Sequence, residues 1–219
     1  MDEDRPTEAT PPPAPAPAGS IPPKGLIERV KDILITPKTE WDVIEREASS
    51  VQGIYTRYVV ILAAIAPIAM LIGEIVFLKL PVGYVVTQTI VFFPLSLAAV
   101  YVTALVIDAL APTFKGVKNF MNAFKVAAYS QTAAWIVGVF WIVPRLAFLM
   151  ILGLYSLYLL YLGLPKLMKV KEDQAIGYVG VVIFVQLILY ALVMTIMWQV
   201  AAAFFQPVIV ISPGVVTYS

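Results

Sequence analysis

Five stretches of nearly uninterrupted apolar sequence, at roughly 58–78, 85–107, 126–144, 146–164 and 178–205, decide what this chain can fold into. Each can reach across about 30 Å of hydrocarbon, which takes about 20 helical residues. In lipid every backbone N–H and C=O must be satisfied within the segment, so such stretches are helices. Composition agrees. The 219 residues are 60% hydrophobic and 13% charged, against about 45–50% and about a quarter in soluble domains. That excess is too large for one buried core. The expected fold class is an all-α integral membrane protein, a five-transmembrane-helix bundle behind short amphipathic N-terminal cytoplasmic helices.

The chain divides accordingly. Residues 1–23 hold eight prolines among Ala, Thr, Glu and Asp. They cannot bury enough apolar area to offset their ordering entropy, so a disordered, proline-rich tail is expected. The expected role is a plain tether, with a proline-rich ligand for a partner as the alternative. It is acidic and lacks an apolar core, unlike a secretory signal. Residues 24–57 read as an amphipathic segment of two short helices. Leu26, Ile27, Val30, Ile33 and Leu34 fall at helical spacing, with Glu28, Arg29, Lys31 and Asp32 on the opposite face. Thr36 and Pro37 read as a helix start, a capping hydroxyl before a first-position proline. Trp41 and Ile44 then share a face. They are candidate interfacial residues on a helix lying in the membrane surface; the alternative is that both helices pack on the ends of the spans. Residues 58–205 form the membrane domain and 206–219 a short outside tail.

Short loops on the cytoplasmic side retain Lys and Arg. Six lie between residues 24 and 57. Lys79 alone follows the first span, and Lys115, Lys118 and Lys125 follow the second. Arg145 follows the third, Lys166, Lys169 and Lys171 follow the fourth, and none follows the fifth. The alternation predicts a cytoplasmic N-terminus and a C-terminus outside. Its +1 net charge gives no sign of nucleic-acid binding.

With no Cys and no His, Cys/His zinc sites, thiol nucleophiles and histidine acid–base chemistry are excluded. No phosphate-binding loop, dinucleotide fingerprint or HExxH is present. The expectation is a non-enzymatic protein without catalytic residues, metal or cofactor. Ionisable groups inside spans are functional candidates because burying charge in lipid is costly. Glu74 is expected near the outer end of the first span, as an ion or proton site or as a rim partner of Lys79 or Arg145. Asp108, at the inner end of the second, is expected beside Lys115 or Lys118. Arg145 sits at the outer turn and Gln131 in the inner third of the third span. Ser130, Ala134 and Gly138, four apart, are candidate helix-packing residues, as are Ala66, Ala69 and Gly73. Pro67 and Pro94 should kink their helices.

Four segments carry a family likeness: LIERVKDILITPKTEWDVIERE before the first span, FKGVKNFMNAFKVAAYSQTAAW from Phe114 to Trp135, IVPRLAFLMILGLYSLYLLYLGLPKLMKV from Ile142 to Val170, and KEDQAIGYV. In order and spacing they resemble the Yip family, the Ypt/Rab-GTPase-interacting membrane proteins, in its bacterial and archaeal branch. Ala133 stands where that family often has Pro. The eukaryotic Asp-Leu-Tyr-Gly-Pro signature is missing, with only an echo at Asp108–Pro112, so Rab-type GTPase binding is not carried over. The resemblance implies a multi-pass protein of the cell membrane whose partners are the lipid bilayer and other membrane proteins or itself. The expected role is a membrane scaffold, adaptor or accessory subunit. The competing one is a small-solute or ion channel or transporter.

Overall fold

The computed structural model describes residues 21–204, 209–212 and 215–218. The disordered tail expected at the N-terminus therefore lies, through residue 20, outside the described residues. Two short helices come first, α1 (Leu26–Ile35) and α2 (Pro37–Arg46). Proline disfavours helical backbone in the residue before it, and Thr36 duly breaks α1 at φ −128°, ψ 55°. Pro37 then opens α2, its missing N–H costing nothing at that position. The Thr36 hydroxyl does not cap α2 as the sequence suggests. It donates back to the Asp32 carbonyl at 3.1 Å.

Four helical runs are long and apolar enough to cross a membrane: α3 (Val51–Val76), α4 (Val82–Phe114), α7 (Pro144–Met168) and α8 (Glu172–Phe204). The Ser50 hydroxyl caps α3 by accepting from the Gly53 N–H at 3.0 Å. The run contains a π turn at Tyr55–Val59 and breaks at Ala64. Pro67 has no N–H to give the carbonyl four residues back. Pro94 lies inside α4, which continues through it.

Residues 126–144 are not one helix. α5 (Phe120–Ser130) and α6 (Thr132–Val137) meet at Gln131, and a 3₁₀ turn follows at Gly138–Ile142. Hydroxyls supply the physical reason, since Ser and Thr that bond their own backbone bend helices. Ser130 donates to Val126 O at 2.7 Å and Thr132 to Tyr129 O at 2.6 Å, while Thr132 also meets the Tyr58 hydroxyl at 2.6 Å. The expected hairpin at 144–145 is present, with Val143 extended between two 3₁₀ segments. α7 winds as 3₁₀ to Leu154 and as α-helix from Tyr155. It does not end at Pro165; it runs on to Met168 and stops at Lys169, at φ 57°. Beyond α8, β1 (Ile209–Ser212) and β2 (Val215–Tyr218) pair antiparallel, a hairpin the sequence reading leaves out of its all-α fold.

The protein is thus a multi-pass, essentially all-helical membrane protein. α8 shows the lipid environment most plainly. Of its 33 residues only Ala175, Tyr178, Val179, Val182 and Met197 are buried, and Phe184, Leu187, Ile188 and Leu192 are exposed. Elsewhere small residues let backbones touch. Added to Gly73, a Cβ would overlap the backbone oxygen of Trp141; added to Gly138, it would lie 2.7 Å from the Ala66 Cβ. Ala134 turns instead toward α7, with Gly153 beside it and its N–H donating to Ser156 Oγ at 2.9 Å. Ser130, Ala134 and Gly138 therefore do not form one seam, because the break at Gln131 and the 3₁₀ turn rotate them onto different neighbours.

Gly73→Ala tests this contact. Its methyl group would meet backbone rather than a side chain that can swing away, so a loss of about 1–3 kcal/mol is expected from overpacking. Unfolding by SDS in mixed micelles measures it.

Candidate functional site

α1 and α2 form a cap on one end of the bundle, and charge holds it there. Arg29 is 2% exposed, and its guanidinium donates to Glu40 Oε1 through one nitrogen and to Glu47 Oε1 through the other. Its flat face lies 5.2 Å from the centre of the Tyr129 ring, on α5. One planar cation thus ties α1, α2, the segment after α2 and a bundle helix together. Arginine suits this role because its fork reaches two carboxylates while its face stacks on a ring. Lys24 adds an outer layer, donating to Glu40 Oε2 at 2.8 Å and to Asp32. Those carboxylates hold the Lys24 ammonium above its ordinary value, and the Lys24 hydrogen bond holds Asp32 below the usual carboxylate range.

Lys125 makes the second tie. It is buried on α5 and donates to the carbonyls of Ile44 at 2.8 Å and Glu47 at 2.7 Å. An ammonium from the bundle thereby satisfies carbonyls at the C-terminus of α2, the end whose dipole favours a cation. Around these two ties, Lys166 pairs with Asp42 and Glu45, Lys169 pairs with Glu45, and the Tyr155 hydroxyl donates to Leu34 O at 3.1 Å. Trp41, 1% exposed, packs against Gly163 of α7, where a Cβ would come within 2.7 Å of the ring. Ile33 and Ile44 are fully buried beside it. Trp41 and Ile44 consequently do not reach into the membrane surface. The alternative, helices packed on the bundle end, is what the structure has, because the indole fills the space that Gly163 leaves.

Within the bundle, two cavities lie along α4 and α8 and share Phe92. One, of about 360 Å³, is lined by Glu74 of α3 with Tyr84, Gln88, Met194 and Trp198. The other, of about 220 Å³, gathers Gln131 with Ser96, Thr103, Trp135 and Gln186. Glu74 forms no pair with Lys79 or Arg145, so the rim contacts expected for it are not made. Asp108 does meet Lys118, at 3.9 Å, with its second oxygen buried and without a partner. Arg145 is exposed at the α6–α7 turn, away from both cavities. Among the described residues no group of three or more metal-ligating side chains occurs.

A family model for the Yip1 domain matches residues 31–194, from within α1 to late in α8. This chain belongs to the Yip1-domain family. Two curated relatives carry the name inner membrane protein YohC, one from Escherichia coli strain K12 and one from strain CFT073 of serotype O6:H1. Each is 26% identical over 155 residues, covering 65% of this chain and 80% of the relative. No solved structure matches. The Yip1 match takes in Glu40, Trp41, Glu47, Lys125 and Tyr129, along with both cavities through Met194, whereas Arg29 lies two residues before it.

The sequence reading missed this Yip1-domain chain's main charged cluster. It set Arg29 on the polar face of α1 with its charged neighbours and counted Lys125 as a loop cation. Two signals were available. Arg29 stands four residues before Ile33, on the same helical face as that fully buried side chain. Lys125 stands inside an apolar run, between Phe124 and Val126.

Proposed function

We propose that the chain is a non-enzymatic scaffold or adaptor of the cell membrane, with five crossings, a cytoplasmic N-terminus and an outside C-terminus. The observation that carries this reading is the cap. Buried charge fixes it to the bundle, yet it turns Ile27, 83% exposed, and Ile35, 68% exposed, outward. A fixed platform showing apolar side chains at a helix surface suits protein contact. Residues 120–142 complete the fifth crossing in this reading, as a broken helix. The name of the YohC relatives, inner membrane protein, supports the inner membrane as the location. The alternation of Lys and Arg supports the orientation, and puts the cap in the cytoplasm.

The test places a photo-crosslinking residue at position 27 or 35 in native membranes, with a buried position such as 33 as control. Discrete adducts to one membrane protein, or to a second copy, are expected from 27 and 35 and lost with Ile27→Lys and Ile35→Lys. A solitary monomer without adducts overturns the reading.

A second reading, a small-solute pathway, draws support from the two neighbouring cavities and their Glu74, Gln88, Gln131 and Gln186 lining. Flux into proteoliposomes that vanishes with Glu74→Gln would favour it over the scaffold.

A further inference from the structure

We propose that the cavity around Glu74 binds a lipophilic organic monocation. The site lies among α3, α4 and α8, with Pro67 and Glu74 from the first and Met197 and Trp198 from the last. At about 360 Å³ it falls within the usual span of small-molecule pockets, about 300–1,000 Å³. That is far more room than a proton or a bare metal ion needs.

Its lining fits one class of ligand. Among the described residues that line the cavity, Glu74 is the only carboxylate and there is no Lys or Arg. A carboxylate set among mostly apolar side chains without a cation is costly. An acyl chain filling the space would leave it uncompensated, and an anion would be repelled. Tyr84 and Phe92 line the cavity and Trp198 stands at its exposed edge, three aromatic rings whose faces attract cations. Met70, Met194 and Met197 bring flexible, polarizable side chains that mould to varied apolar shapes. Gln88 spends an N–H on the Tyr84 hydroxyl, which fixes the polar edge of the wall. One charge, three rings and three thioethers recognise a single positive centre wrapped in hydrocarbon. Binding of this kind requires no transport and does not depend on the scaffold reading.

The experiment measures equilibrium binding of labelled methyltriphenylphosphonium to the full chain in detergent. 1,1,1-Triphenylethane, the same shape without the charge, serves as competitor. Saturable binding that the neutral compound fails to displace is expected. Glu74→Gln should weaken it at least about tenfold, the scale of one lost charge contact of 1.4 kcal/mol, and Glu74→Asp should retain most of it. Trp198→Ala, at a position 74% exposed and so tolerant of change, should weaken it about threefold to tenfold. Equal displacement by the neutral compound, or native-like affinity in the folded Glu74→Gln and Trp198→Ala variants, overturns the proposal. Neither result bears on the cross-linking at positions 27 and 35, so the two readings fail separately.

Discussion

Arg29→Met is expected to destabilise the protein by about 3–5 kcal/mol, the usual cost of removing one partner from a buried charge cluster. The methionine fills similar space but leaves the Glu40 and Glu47 carboxylates, 2% and 4% exposed, without their shared cation. It also uncovers the Tyr129 ring. Lys24 compensates only in part, since it reaches Glu40 from the outer side and meets Glu47 through its backbone N–H. Arg29→Lys should recover little, because one ammonium cannot serve two carboxylates and stack on a ring. Neutralising the whole cluster, Arg29→Met with Glu40→Gln and Glu47→Gln, should restore most of the loss; the cost lies in the uncompensated charges rather than in a missing attraction. Unfolding in mixed micelles gives the energies, and hydrogen exchange at residues 24–49 reports the cap. A native-like Arg29→Met protein would mean that apolar packing alone seats α1 and α2.

Trp41→Ala should cost a comparable amount, about 3–5 kcal/mol, through the cavity left in a packed interior. The side chain is among the largest fully buried ones, and Gly163 cannot fill the gap because the α7 backbone stands at its edge. Trp41→Phe should keep most of the stability. It retains a ring and deletes an indole N–H that is buried without a partner, so the lost area is partly offset. Proteolysis between residues 24 and 49 should accelerate in Trp41→Ala while the membrane helices stay protected. A tryptophan resting in the lipid surface would give another result, with little change in detergent and a weaker hold on vesicles.

The membrane class, the helices and their approximate ends are written in local sequence. Long apolar runs have one solvent available, proline and glycine punctuate them, and neither fact needs knowledge of a neighbour. The Yip1-family likeness was legible for the same reason, since it lies in ordered segments such as FKGVKNFMNAFKVAAYSQTAAW. Other features depended on contacts far apart in the chain. The break at Gln131 follows from where hydroxyls point, including Tyr58 from 74 residues away. Pro165 is passed over because α7 has the cap to pack against through Gly163 and Trp41.

The candidate site shows the division most sharply. Sequence alone put Glu74 near the outer end of the first span and showed that Arg29 and Lys125 carry charge. Only the tertiary structure decided that Glu74 lines a cavity with no Lys or Arg among the described residues around it, whereas Arg29 and Lys125 are enclosed with their partners. Charge is a property of one residue, but its compensation depends on groups 11 to 81 positions away, and no local pattern encodes that distance.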